Sequence, residues 1–191
     1  MEDSERKRLI DVAKRGLTHG VLTGEPLEPR LDEVPAGSVL REPRGAFVSL
    51  HTTSGELRGC VGALSSTQPL AETVAEMAFA AATRDLRFTP VTPAELDHLL
   101  IEVSVLGPLE PVRDLSEVEI GRHGLLVKGH GHRGVLLPQV ATEHGWDAET
   151  FAAQTCIKAG LSPDAYLRGE VELHRFEAEV ILEAPLARPS L

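Results

Sequence analysis

The sequence predicts an α+β fold with mainly antiparallel strand pairing, because three observations agree. Apolar and polar residues alternate in several short runs, apolar residues recur at helical spacing in longer ones, and the order of these runs repeats along the chain. The repeat can be read residue by residue. His132-Arg133-Gly134-Val135 follows Leu57-Arg58-Gly59-Cys60 by 75 positions, and Ala148-Glu149-Thr150-Phe151-Ala152 follows Ala71-Glu72-Thr73-Val74-Ala75 by 77. Gly124-Leu125-Leu126-Val127 likewise answers Ala46-Phe47-Val48. Nearly equal offsets over a hairpin and a helix define two pseudo-repeats, about 45–107 and about 123–183, within one domain spanning 1–191.

An amphipathic N-terminal helix is expected over about 4–21, where Leu9, Val12, Ala13, Gly16 and Leu17 form one stripe and Glu5, Arg6, Lys7 and Lys14 lie off it. Residues 24–44 carry Pro26, Pro29, Pro35 and Pro43 among glycines and charges, and read as an ordered surface loop. A strand over 46–51, a tight turn over 52–55 and a strand over 56–64 make a hairpin. Pro69 suits a first helical turn, and Leu70, Val74, Met77 and Ala81 stripe a helix over 69–83. Thr92-Pro93-Ala94-Glu95 has capping-box spacing and starts a short helix. The strand over 99–106 sets Ile101, Val103 and Val105 on one face and Glu102 and Ser104 on the other. The second half repeats this order and closes on a strand over 171–182.

Composition narrows the function classes. With 191 residues, 42% apolar and 25% charged, the chain can bury a globular core. No apolar run approaches the roughly 20 residues of a membrane-spanning helix, and the charged start, Glu2 to Arg8, lacks a signal-peptide core, so no membrane is expected. Two cysteines without close spacing point to a reducing compartment, hence the cytoplasm. The net charge of −10, with no basic stripe, argues against nucleic-acid binding, although a specific RNA site stays open.

The chemistry concentrates in Leu57-Arg58-Gly59-Cys60-Val61-Gly62. Strand alternation puts Leu57 and Val61 on an apolar face, and Arg58, Cys60 and Gly62 on the other. A guanidinium beside a thiol favours the thiolate, and Gly59 and Gly62 permit close approach by a ligand or another backbone segment. The alternative is a buried cysteine and an arginine paired with a carboxylate. Asp85 and Arg87 either line the site beside Cys60 or pair with each other across a loop. His123 is a candidate proton carrier for the thiol or a turn-capping residue. Gln139, after Pro138 at the start of a short helix, can donate to a ligand or bond its own backbone. His130 and His132 read as a hairpin tip without acidic or cysteine ligands at recognisable spacing, so no metal site is assigned. Cys156 falls on a small-residue stripe with Ala152 and Ala159, a packing position, and two duplicated halves are expected to frame a cleft that holds the site.

Gly45-Ala46-Phe47-Val48, the Leu-Arg-Gly-Cys-Val-Gly stretch, Asp85-Leu86-Arg87-Phe88, Gly121-Arg122-His123-Gly124-Leu125, Gly134-Val135-Leu136-Leu137-Pro138-Gln139-Val140 and Cys156-Ile157-Lys158-Ala159-Gly160-Leu161 occur in one order. In these the chain resembles the AMMECR family, named for the Alport syndrome, midface hypoplasia and elliptocytosis chromosomal region. Prokaryotic members appear as protein A of the AmmeMemoRadiSam system. The resemblance covers about Arg8 to Glu183 and departs from many relatives at Leu86, where they carry proline. It implies two structural repeats sharing a barrel-like sheet and no established activity, and no cofactor is assigned. It also implies a Memo-type protein and a radical S-adenosylmethionine enzyme as candidate partners.

Three functional readings follow. The first is a thiol-dependent enzyme with Cys60 as nucleophile, Arg58 as thiolate or substrate anchor, His123 as proton carrier, and Gly59, Gly62, Asp85, Arg87 and Gln139 around a small molecule or peptide. The second is a non-catalytic binding or adaptor module. The third, an RNA-associated factor, runs against the charge.

Overall fold

The computed structural model describes residues 1–183; the predicted domain span to residue 191 includes 184–191, which lie outside the described residues. Helix α1 (Asp3–Thr23) starts at a capping box between Glu2 and Glu5 and ends at Gly24, whose φ of 78° is the left-handed geometry of a glycine C-cap. Its stripe, Leu9, Ala13, Gly16, Leu17 and Gly20, is buried. The proline-rich loop forms two short 3-10 turns, Leu31–Glu33 and Val39–Arg41, with Leu40 tucked inside. Next come β1 (Ala46–Thr52), β2 (Leu57–Ala63) and α2 (Leu70–Thr83). A 3-10 helix, Pro93–His98, carries the Thr92/Glu95 capping box and leads into β3 (Leu99–Leu106). The remaining elements are β4 (Glu110–Pro111), β5 (His123–Gly129), β6 (His132–Leu136), α3 (Pro138–His144), α4 (Ala148–Lys158) and β7 (Glu172–Leu182). The fold is therefore α+β with antiparallel pairing and an N-terminal helix, and hairpin, helix and strand occur twice in that order. Among the described residues no helix is long and apolar enough to cross a membrane.

The chain divides into two compact units, Met1–Leu106 with the segment beginning at Glu179, and Gly107–Ala178. In the first, β2, β1 and β3 pair antiparallel, and the end of β7 lies beside β3, where the Glu183 N–H donates to the Ile101 carbonyl at 2.8 Å. Val48, Leu50, Ile101 and Val103 are buried in one core with residues of α1 and α2. The helices touch through small residues: a Cβ at Gly16 would stand 2.7 Å from the Ala75 carbonyl oxygen. The opposite sheet face holds Phe47, Ser49 and His51 of β1, which by register lie beside Cys60 and Gly62 of β2 and beside Glu102 and Ser104 of β3.

In the second unit β5 pairs with β6 and β7, and β4 with β7. Leu125, Phe151 and Ala152 fill one small core, and Val127, Cys156 and Ala159 another. The tip of its hairpin is a two-residue turn in which His130 and Gly131 take φ of 51° and 78°, the twist that joins antiparallel strands. Gly59 and Gly134, 75 positions apart in the repeat, do the same job in each unit. A Cβ at Gly59 would meet the Ala81 carbonyl oxygen of α2 at 2.2 Å, and one at Gly134 would meet the Ala159 nitrogen at 2.5 Å.

One local expectation is corrected. Leu50 pairs with Gly59 but His51 pairs with Leu57, so Arg58 is the extra residue of a β-bulge. The bulge breaks strict alternation and places Leu57 on the face of His51, Ser49 and Cys60 instead of beside Val61. Leu57 is accordingly 40% exposed.

Candidate functional site

Within the sheet of the first unit β2 is an edge strand, so alternate N–H groups point away from β1 and need partners. At Cys60 that partner is a carboxylate: its N–H donates to Asp85 Oδ2 at 2.9 Å. Asp85 also accepts from the Arg87 backbone N–H at 3.1 Å, Nε at 2.9 Å and Nη2 at 2.7 Å. Arg87 Nη2 reaches on to the Cys60 carbonyl oxygen at 3.4 Å. The Asp85 side chain is only 6% exposed, whereas that of Arg87 is 58% exposed. The Arg87 guanidinium, helped by the Cys60 and Arg87 N–H groups and opposed by burial, holds the Asp85 carboxyl far below the usual carboxylate range. Arg87 is in turn held more firmly protonated, chiefly by its bonds to Asp85, with the charges of Asp85 and Cys60 adding to this. The 84–88 loop is thereby pinned to the strand edge at Cys60. Asp85 and Arg87 pair with each other across the loop, and both also meet the backbone of Cys60.

Arg58 makes a different connection. Its Nε and Nη2 donate to the two carboxylate oxygens of Glu95 at 2.8 and 3.3 Å, and its Nη1 to the Thr89 carbonyl at 2.9 Å. This two-pronged pairing, with the Arg58 side chain 16% exposed, ties the bulge to the segment 89–95. It holds the Glu95 carboxyl at about 2, with the Thr92 N–H assisting. The free side of Gly59 is filled by the backbone of α2, and that of Gly62 by the Phe47 ring and the Ala46 carbonyl.

The thiol itself is half-buried, and Cys60 Sγ accepts a hydrogen bond from Ser49 Oγ at 3.2 Å. Ser49 stands opposite Cys60 on one side and opposite Glu102 on the other. His51, two residues along β1 on the same face, has Nε2 4.0 Å from Glu102 Oε2, and that nitrogen is buried without a hydrogen-bond partner. Sequence reasoning assigned no chemistry to Ser49, His51 or Glu102. The available signal was alternation: Ser49 and His51 interleave with buried Val48 and Leu50, as Glu102 and Ser104 do with Ile101 and Val103.

His123 and Gln139 belong to the second unit. His123 is buried at the start of β5, and its Nδ1 accepts the Glu119 N–H at 2.9 Å. Burial, and then the charges of Arg175 and Arg122, push its pKa down, which keeps the ring neutral. Gln139 is the second residue of α3 and half-buried. Cys156 is fully buried in α4, where desolvation pushes its thiol pKa up and makes it inert. Among the described residues no group of three His, Cys, Asp or Glu side chains is placed to hold a metal ion.

Comparison with known proteins agrees with this architecture. A family model described as AMMECR1 matches residues 10–181. A protein of Methanocaldococcus jannaschii is 46% identical over 152 residues, 76% of each chain, and one of Methanothermobacter thermautotrophicus is 42% identical over 186 residues, 94% of each. The crystal structure of an uncharacterized protein from Pyrococcus horikoshii, 36% identical, superposes with a TM-score of 0.87 over 100% of this chain and 99% of that one. On the match to its family model and to these relatives over most of its length, the chain belongs to the AMMECR1 family.

Proposed function

We propose that the polar sheet face of the first unit is a ligand-binding site built on a nucleophilic Cys60 thiol, with Arg87 reading an anionic group on a small molecule or peptide. One observation carries this reading. A nearly buried carboxylate, Asp85, joins the Cys60 backbone to a guanidinium that stays mostly open to solvent. A loop that only needed to cover a strand edge could do so without burying a charge, whose desolvation is costly unless paired. In this reading Arg58 and Glu95 fix the bulge that aims the strand, and Gly59 and Gly62 let it pack closely enough to hold the thiol in place. The protein works in the cytoplasm, where both cysteines stay free.

Charge selectivity of alkylation tests it. Arg87→Gln is expected to lower the rate of Cys60 modification by anionic iodoacetate, relative to neutral iodoacetamide, by about fivefold, the Boltzmann equivalent of roughly 1 kcal/mol for a solvent-screened charge pair. Peptide mass spectrometry separates Cys60 from Cys156. An unchanged ratio removes Arg87 as an anion reader, and a Cys60 that resists both reagents in the folded protein removes the thiol site altogether.

A second reading has Leu86 behind it, an apolar side chain 99% exposed between Asp85 and Arg87. Here the protein is a non-catalytic adaptor of an AmmeMemoRadiSam system, and the Leu86 knob docks on a Memo-type protein or a radical S-adenosylmethionine enzyme. Leu86→Ser, which adds no charge beside Arg87, is then expected to abolish anaerobic co-purification with those proteins while leaving Cys60 alkylation unchanged. Co-purification that survives the substitution, or never occurs with wild type, sinks the adaptor reading.

A further inference from the structure

We propose that His51 is the proton-accepting group of the Cys60 site and that Glu102 positions it, a role that rests on the reading of Cys60 as a reactive thiol. The sheet register brings these groups to one face. Cys60 and Glu102 flank Ser49 from the two neighbouring strands, and His51 lies diagonal to both. Arg58, in the bulge opposite His51, is already tied to Glu95, so Cys60 and Glu102 are the titratable groups from β2 and β3 left on that face.

The state of the imidazole is the telling feature. Its Nε2 is shut off from solvent, has no hydrogen-bond partner, and faces a carboxylate oxygen at 4.0 Å. That distance is too long for a hydrogen bond and short enough for strong attraction to an imidazolium. The resting ring is thus incompletely satisfied, and uptake of a proton converts the Glu102 contact into an ion pair that can close. A general base needs this asymmetry, and catalytic hydrogen bonds are often long before a ligand binds. The Ser49 hydroxyl, donating to Sγ at 3.2 Å, stabilises charge on the sulfur as its proton leaves. As Sγ attacks an electrophilic carbon, the S–C bond forms, the leaving group departs with its bonding pair, and the thiol proton passes to His51. With iodoacetamide the leaving group is iodide.

The pH profile of Cys60 carbamidomethylation by iodoacetamide tests the assignment. Wild type is expected to show a rising limb that follows titration of a histidine. His51→Gln removes that limb and slows the reaction near neutral pH about a hundredfold, the low side of general-base contributions. Glu102→Gln, which takes away the carboxylate that positions the imidazole, slows the reaction over the same pH range while His51 remains. Should His51→Gln not fold, the His51 ring is followed by NMR in wild type and in Cys60→Ser; its titration midpoint is expected to shift when the thiol is absent. A folded His51→Gln with the wild-type profile, or a His51 midpoint indifferent to Cys60, overturns the proposal while the thiol site stands. An unreactive Cys60 in wild type overturns both.

Discussion

Replacing Gly59 with alanine is expected to destabilise the protein by about 3 kcal/mol, the upper end for inserting a methyl group into a packed interior. For a chain of this length that is a melting-temperature drop of roughly 6–12 °C. The added Cβ would stand 2.2 Å from the Ala81 carbonyl oxygen and 3.2 Å from its carbon. Both atoms belong to the backbone of α2, which cannot rotate away as a flexible side chain could, so the strand or the helix must move. Movement of β2 displaces the Cys60 N–H from Asp85 as well, and thiol reactivity should change together with stability. Gly134→Ala presses on the second unit in the same sense, with contacts of 2.5 Å to the Ala159 nitrogen and 2.6 Å to the Thr155 carbonyl oxygen. Differential scanning calorimetry of the two variants decides the matter. Wild-type melting in Gly59→Ala would mean that β2 does not lie against α2 as described.

Asp85→Ala is expected to cost about 2 kcal/mol near neutral pH, most of it from the Cys60 N–H left without an acceptor, because solvent screens the exposed Arg87 side of the pair. The substitution leaves the Cys60 N–H without its acceptor and frees the 84–88 loop. Its pH dependence has a definite sign. The folded-state pKa of Asp85 lies below its unfolded value of about 3.9, so its contribution is fully present above roughly pH 5 and fades as pH falls through 4 towards the folded value. Urea unfolding should therefore show a wild-type advantage near neutrality that shrinks in acid. Glu95, held at about 2 chiefly by Arg58, weakens in the same acid window, but as a partly exposed group it contributes less. A difference between wild type and Asp85→Ala that stays constant into acid would contradict the ion-paired Asp85.

Particular residues show how far the sequence reached. Helix α1 was readable because an amphipathic stripe is a local pattern, and the expected 4–21 is observed as Asp3–Thr23. The Thr92/Glu95 capping box is legible from its spacing, yet it opens a 3-10 helix, six residues long, because β3 begins directly after it. β4 leaves no signature in the sequence, since two residues hold no periodicity. The importance of the strand around Cys60 was legible from its glycines and its thiol. The partner of Arg58 was not: Glu95 lies 37 residues away, and no local pattern records which carboxylate a long side chain will reach.

The order of the chain alone determined the α+β class and the hairpin-helix-strand order that occurs twice, because periodicity and turn chemistry are local properties and the repeat is written in the sequence itself; the family was legible in its ordered motifs. Tertiary structure decided which groups meet at the sulfur. The bulge at Arg58 shifted the strand register by one residue, the 84–88 loop folded back over 25 positions to cap Cys60, and β3 carried Glu102 to His51. Side-chain encounters of that kind depend on pairing between distant strands, where a single inserted residue changes which face each neighbour occupies.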